Sequence, residues 1–361
     1  MAITSSLCEH CYRHIPAETF ERDNAVWMSK TCPEHGYSEY IIERDVNFYN
    51  SLVYDPDGIC PPCGIMIEVT DRCNLKCPHC YHEPENATTD KPIDLIISQL
   101  ASWPEESGSV ILAGAEPTLR KDLPDLMRRI DSWQMASGRS YQNITMLTNG
   151  VKFSNKDWVE QIKNASKKPV VCIGLNHYTY QGKTVHKKQL DGIKNCKEKN
   201  LEIYYIGYTL EDINHLPDVL EEIQQLGDSA GQYRIRAGSD IGRNPDEPRY
   251  YLSDHVKEIK SYADNRGWTW EEVPADNNLY HFMVKINGIM HRLIQWSDPK
   301  TIDLEELRTG PWADFVPGKP ITNFLHQIML RDAAVNKNMM LWDTVSNRYQ
   351  FRSRESIRQD P

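Results

Sequence analysis

From residue 64 to about residue 245 the chain alternates short apolar runs with longer stretches of helical spacing. The runs cover 65–69, 110–114, 144–148, 170–175, 202–210 and 233–237, the length of buried strands. Between them apolar residues recur three and four apart. Examples are Ile93, Ile96, Ile97 and Leu100 after a start signal at Asp90, and Leu126, Met127, Ile130 and Trp133. Strands that alternate with helices predict a parallel sheet covered by helices. Periodicity alone leaves a doubly wound sheet and a barrel both open.

The flanks read differently. Within residues 1–63, the segments 19–22 and 26–29 flank Asp23-Asn24 and predict a hairpin. Within 246–361, the segments 282–286 and 289–295 flank Asn287-Gly288, a strong hairpin signal. Turn-rich Gly310-Pro311-Trp312 and 316–320 follow. An amphipathic helix with Ile321, Phe324, Leu325, Ile328 and Met329 on one face comes next. The expected division is therefore 1–63, 64–245 and 246–361. Five of the nine tryptophans lie in the last segment. It is expected to close over the sheet and shape a water-excluding substrate pocket, or else to pack on the sheet without that role.

Charge narrows the partners. The 41 basic and 51 acidic residues give a formal charge of −10 with no basic block, which argues against non-specific nucleic-acid binding. A small molecule, a lipid or a peptide is the expected substrate. There is no apolar run of the roughly eighteen residues that a transmembrane helix needs, and no charged leader followed by an apolar core. The expectation is a soluble, cytoplasmic protein without a transmembrane segment.

Of ten cysteines, eight fall between residues 8 and 80 in short pairs, a pattern of metal ligation in a reducing compartment rather than of disulfides. Cys172 and Cys196 stand apart and read as ordinary buried thiols. Cys8-x2-Cys11 and Cys32-x2-His35 are spaced as two knuckles of a tetrahedral site, and Cys60-x2-Cys63 is a third pair. Two zinc assignments stay open: Cys8, Cys11, Cys32 and His35, or an all-cysteine set with Cys60 or Cys63 in place of His35. Mononuclear iron or an auxiliary iron-sulfur cluster is a further alternative. A segment so small and polar needs such a staple to fold.

The stretch Asp71-Arg72-Cys73-Asn74-Leu75-Lys76-Cys77-Pro78-His79-Cys80-Tyr81 follows the first strand directly. Its C-x3-C-x2-C spacing can bring three thiolates to one iron-sulfur cluster, and fits the C-x2-C pairs of zinc sites poorly. It closely resembles the signature of the radical S-adenosylmethionine (SAM) enzymes. The resemblance implies a partial (β/α)6 TIM-like barrel with its site at the C-terminal strand ends. It also implies a 4Fe-4S cluster on Cys73, Cys77 and Cys80 whose remaining iron chelates SAM, so that reductive cleavage yields a 5′-deoxyadenosyl radical.

Further matches follow the same family. Gly114-Ala115-Glu116-Pro117-Thr118-Leu119-Arg120 resembles its G-G-E-P-T-L-R, and implies that Gly114, Ala115 and Glu116 hold the SAM ammonium group. Ala115 stands where the family has a second glycine, a small change if the backbone there avoids positive φ. Thr148-Asn149-Gly150 resembles T-N-G and puts Thr148 near SAM. Asn176 matches a ribose-contacting position, or merely caps a strand end. His79 takes the place of an aromatic residue beside the adenine. Arg234 and Arg236 share one strand face, and one of them, with Arg236 as the candidate, suits the SAM carboxylate or a structural ion pair.

The N-terminal pairs resemble those of the tetraether lipid synthase and pterin methylating group of this family. That implies hydrogen abstraction from an unactivated carbon of a small molecule or lipid, leading to bond formation, with flavodoxin or ferredoxin as a low-potential reductant. Sixty-three cysteine-rich residues cannot make a cobalamin-binding unit. The alternatives are modification of a ribosomal peptide, against which the cysteine-free 246–361 weighs, and a non-catalytic electron carrier or zinc adaptor.

Overall fold

A computed structural model of the chain describes residues 2–7, 14–51, 64–77, 80, 89–102, 109–138, 143–210, 212–237, 251–275, 279–297, 338–343 and 348–353. The first unit is a four-stranded antiparallel sheet in the order β1 (Ala2–Leu7), β2 (His14–Arg22), β3 (Ala25–Cys32) and β4 (Gly36–Glu43). The expected hairpin is its centre. Arg22 pairs with Ala25, and Asp23 and Asn24 take φ of 52° and 59°, the left-handed pair that a two-residue hairpin loop requires. Leu7 pairs with His14 and Cys32 with Gly36, so the β1–β2 and β3–β4 reversals leave the same end of the sheet. The segment carrying Cys8 and Cys11 lies outside the described residues, as do Cys60 and Cys63. Helix α1 (Val46–Ser51) follows, with Val46 N donating to Asn24 O at 3.1 Å.

The six apolar runs become six parallel strands: β5 (Gly64–Thr70), β6 (Ser109–Gly114), β7 (Ile144–Thr148), β8 (Pro169–Gly174), β9 (Glu202–Leu210) and β10 (Gln232–Ala237). Each lies beside its predecessor in the sequence, with no reversal of order. A doubly wound sheet reverses at a switch point, so this arrangement is the open barrel. Helices α2 (Ile93–Ser102), α3 (Leu123–Ser137), α4 (Lys156–Lys163), α5 (Tyr178–Gln181), α6 (Lys183–Glu198) and α7 (Leu216–Leu226) connect the strands. Leu112, Met146, Val171 and Ile206 are buried in one core with Leu126 and Ile130 of α3 and Leu220 of α7. Truncating such a side chain to Ala costs about 2–5 kcal/mol. Cys172 and Cys196 are buried as expected, and burial pushes the Cys196 thiol up to about 12.

The opposite face of the sheet is concave. Tyr208 donates to Glu222 of α7 at 2.7 Å and so points at the helices; Gly207 and Thr209, one step away, face inward. In register with them are Arg234 and Arg236. Beyond β10 come α8 (Leu252–Asn265) and a three-stranded sheet of β11 (Thr269–Ala275), β12 (Leu279–Ile286) and β13 (Ile289–Ser297). Its β12–β13 turn has Asn287 and Gly288 at φ 52° and 82°, as the sequence predicted. His291 of β13 packs edge-on against Tyr233 of β10, ring centres 5.1 Å apart. A last hairpin pairs β14 (Asn338–Asp343) with β15 (Arg348–Ser353). The predicted turns after residue 309 and the helix at 321–329 lie outside the described residues. Among the described residues no helix is long and apolar enough to cross a membrane.

Candidate active site

The site begins where β5 ends. Thr70 Oγ1 donates to Asp90 Oδ1 at 2.6 Å, and the Arg72 guanidinium reaches both oxygens of Asp90, at 3.0 and 2.6 Å, and Leu119 O at 3.1 Å. Asp90, expected to start a helix, is instead drawn to this arginine, and α2 begins three residues later. The fully buried Arg120 donates to Val69 O and Lys91 O at 2.7 and 2.6 Å while Asp122 takes the rest of its fork. Two arginines thus fix both ends of the cysteine loop; the sequence reading had given neither a role.

The loop after β6 folds over that base. Ala115 N donates to Thr70 O and Glu116 N to Arg72 O. Gly114 takes φ +111°, and a Cβ there would stand 2.3 Å from Thr70 O, so only glycine allows the approach. Ala115 is not among the residues with positive φ, which satisfies the condition set for its methyl group.

Glu116 is the hub. Its side chain is 0 % exposed. Its Oε1 accepts from Thr118 N, Thr118 Oγ1 and Thr148 Oγ1 at 3.1, 2.5 and 2.7 Å, and Oε2 from Asn149 N at 2.7 Å. Burial pushes the carboxyl above its ordinary range, against the pull of these donors. A carboxylate offers about four acceptor positions; Oε1 carries three donors here and Oε2 one, which leaves capacity on Oε2 for a ligand N–H.

Asn149 extends the network to the cysteines. Its Nδ2 donates to Asn74 Oδ1 at 2.8 Å and lies 4.0 Å from Cys73 Sγ, while Gln189 of α6 donates to Asn149 O at 2.7 Å. Leu75 N donates to Cys73 Sγ at 3.4 Å, and Gln181 Nε2 to Cys77 Sγ at 3.0 Å. Burial pushes the Cys73 thiol up, and the negative fields of Glu116 and Cys80 add to it. Cys80 closes the loop with its N–H on Cys77 O at 3.2 Å. Gln181 and Gln189 were missed in the sequence, since lone amides carry no spacing signal, and Asn149 stood in the T-N-G match without a role of its own.

The remaining candidates separate. Asn176 Oδ1 accepts from Thr209 N at 3.1 Å, tying β8 to β9. Arg234 stacks on Tyr205, its guanidinium carbon 4.1 Å from the ring centre, and donates to Gln232 at 3.4 Å. Arg236 pairs with Thr209 in register, its side chain being outside the described set with His79. Beside α5, His177 and His215 stack 4.2 Å apart, and His177 Nε2 lies 3.2 Å from Asp218.

In the first unit Cys32 Sγ lies 3.4 Å from His35 Nδ1. Two ligands of one tetrahedral zinc, at ~2.3 and ~2.1 Å from the metal, stand about 3.6 Å apart, so this pair fits a shared metal. At the barrel the donor set fits an iron-sulfur cluster: three cysteines on one loop, two of them receiving N–H donors at sulfur, which thiolate ligands accept.

Comparison with known proteins finds two domain matches along the chain. Residues 1–44 match the HMPTM N-terminal zinc ribbon domain and residues 67–225 the radical SAM superfamily. The chain is 28% identical over 307 residues to the 7,8-dihydro-6-hydroxymethylpterin dimethyltransferase of Methanocaldococcus jannaschii, covering 72% of this chain and 58% of the relative. It is 28% identical over 237 residues to the pre-heme d1 synthase of Dinoroseobacter shibae, covering 60% and 56%. The chain thus spans less than two thirds of either relative. Streptococcus suis SuiB bound to SAM is similar at 16% identity and a TM-score of 0.42, over 57% of this chain and 48% of that one.

Proposed function

We propose, for a chain whose residues 67–225 form a radical SAM domain behind an N-terminal zinc ribbon, that it cleaves SAM reductively and abstracts hydrogen from an unactivated carbon of a small molecule. The carrying observation is the convergence of the cysteine loop, Glu116 and Asn149 at the C-terminal end of β5. When bound, the cluster and SAM supply the electron transfer and the 5′-deoxyadenosyl radical. Cys73, Cys77 and Cys80 would hold the cluster. The open acceptor position on Glu116 Oε2 and the backbone of 114–115 would hold the SAM ammonium group. Thr148 holds Glu116 Oε1 by its 2.7 Å bond and would leave Oε2 to that group. The concave face with Arg234 would orient an anionic group of SAM or of the substrate.

Two features support a small-molecule substrate: the zinc ribbon match and the likeness to a pterin dimethyltransferase. A reduced 6-hydroxymethylpterin is therefore the first substrate to test, and a lipid the second. A low-potential reductant of the flavodoxin or ferredoxin type would supply the electron, in the cytoplasm. The test is anaerobic reconstitution with iron and sulfide, reduction with dithionite in the presence of SAM, and chromatographic assay of 5′-deoxyadenosine. Product is expected from the wild-type chain and at least 100-fold less from Cys73→Ser, Cys77→Ser or Cys80→Ser, each of which removes a cluster ligand. A reconstituted wild-type chain that forms none would sink the assignment. Release of 5′-deoxyadenosine with the pterin left unconsumed would sink only the pterin.

A further inference from the structure

A short helix, α5, follows β8 at the same end of the barrel as the cysteine loop, and its last residue reaches that loop from 104 positions away. Gln181 Nε2 donates to Cys77 Sγ at 3.0 Å, while its Oε1 is buried and accepts no hydrogen bond among the described residues. A buried amide half satisfied in this way is not placed by its own internal bonding. Its surroundings place it.

His177 caps α5, its Nδ1 lying 3.4 Å from Thr179 N and 2.8 Å from Thr179 Oγ1, and its Nε2 lies 3.2 Å from Asp218. His215 stacks on the His177 ring and lies 3.2 Å from Tyr180 OH, which also accepts from Asp212 N. The connection after β9 therefore clamps both ends of α5. Gly182, at φ +82°, then turns the chain into α6. The Gln181 amide is delivered to one sulfur and held there.

A cysteine that ligates iron is a thiolate and only accepts hydrogen bonds. An N–H aimed at it draws charge off the sulfur, and the reduced cluster carries one more negative charge than the oxidised one. The donor therefore stabilises the reduced form more and raises the reduction potential. We propose that Gln181 is a positioning residue that sets the reduction potential of the cluster on Cys77, and with it the class of reductant the protein can use. This rests on the radical SAM reading of the site.

The test uses the full chain, reconstituted anaerobically, as wild type, Gln181→Leu and Gln181→Glu. Leu removes the donor at similar size, and Glu puts an acceptor against the sulfur. Iron content and an EPR-monitored redox titration without SAM are read on each. The expected result is wild-type iron content in Gln181→Leu with a more negative midpoint, and a midpoint more negative still in Gln181→Glu. Unchanged midpoints in both variants overturn the proposal. So does loss of iron with the residual cluster at the wild-type midpoint, because that assigns Gln181 to holding the loop alone. A wild-type chain with no reducible cluster overturns both this proposal and the reading beneath it.

Discussion

At position 114 the backbone of one loop passes so close to Thr70 that a methyl group has nowhere to go, whereas one residue later it does not. The two positions therefore predict opposite tolerances. Gly114→Ala puts a Cβ 2.3 Å from a carbonyl oxygen and at φ +111°. The Thr70 and Arg72 carbonyls would lose their N–H partners, and we expect a loss of about 2–4 kcal/mol in urea unfolding together with at least tenfold weaker SAM binding. Ala115→Gly adds only chain entropy, at a cost of about 0.5–1 kcal/mol, with SAM affinity unchanged. Equal losses in the two variants would contradict the geometry. The departure from a double glycine is thus a neutral exchange at the one of the two positions that permits it.

Between elements, the long-range ties to the cysteine loop are made by side chains that look ordinary in sequence. Arg120 belongs to a recognisable motif, yet its part is to bind the carbonyls of Val69 and Lys91 from within the core. Arg120→Leu removes the guanidinium donor from both carbonyls and leaves Val69 O with the Lys91 N–H alone, at an expected cost of about 1–3 kcal/mol. It should also cut the iron retained after reconstitution by more than half, since Val69 precedes the loop directly. Full iron retention with lowered stability would separate the two effects and refute the link. Strands β5 to β10 were legible because buried parallel strands read as unbroken apolar runs, and the loop chemistry was legible because cysteine spacing is sharp. The outer strands β1, β4 and β11 were not read. Their Ser, Thr, Glu and Tyr residues alternate on a thin sheet with little apolar contrast. Gln181 was illegible for a different reason, and Asn149 was seen only as part of a motif, as their partners are set by how β7 and β8 sit against β5.

Across the whole molecule, one strand joins the Cys32–His35 turn of the first unit to the start of α8. β4 begins at the Cys32–His35 turn and ends at Glu43, roughly 24 Å away for eight extended residues. There the Glu43 carboxylate accepts from Ser253 Oγ and Ser253 N, at 2.5 and 3.3 Å, at the start of α8. Arg44 lies over the Tyr251 ring at 4.7 Å. The zinc ribbon is thus fastened beside the barrel through a buried acid. Burial pushes the Glu43 carboxyl above its ordinary range, opposed by the bonds from Ser253, Asp45 and Arg44. A carboxyl raised in the folded state keeps its proton while the unfolded chain has released one. Its contribution to stability is therefore fully present below the ordinary carboxylate pKa and is lost as pH rises through the folded value. Glu43→Gln keeps an oxygen for Ser253 and cannot ionise. The thermal midpoint of the wild type minus that of Glu43→Gln should accordingly fall as pH rises from 4 toward 7, while titrations common to both proteins cancel. A difference that stays flat or climbs over that range would mean that the acid is ionised in the folded state as readily as in the unfolded chain, and that the ribbon is fastened by the helix N-terminus attracting a charge rather than by a buried neutral hydrogen bond.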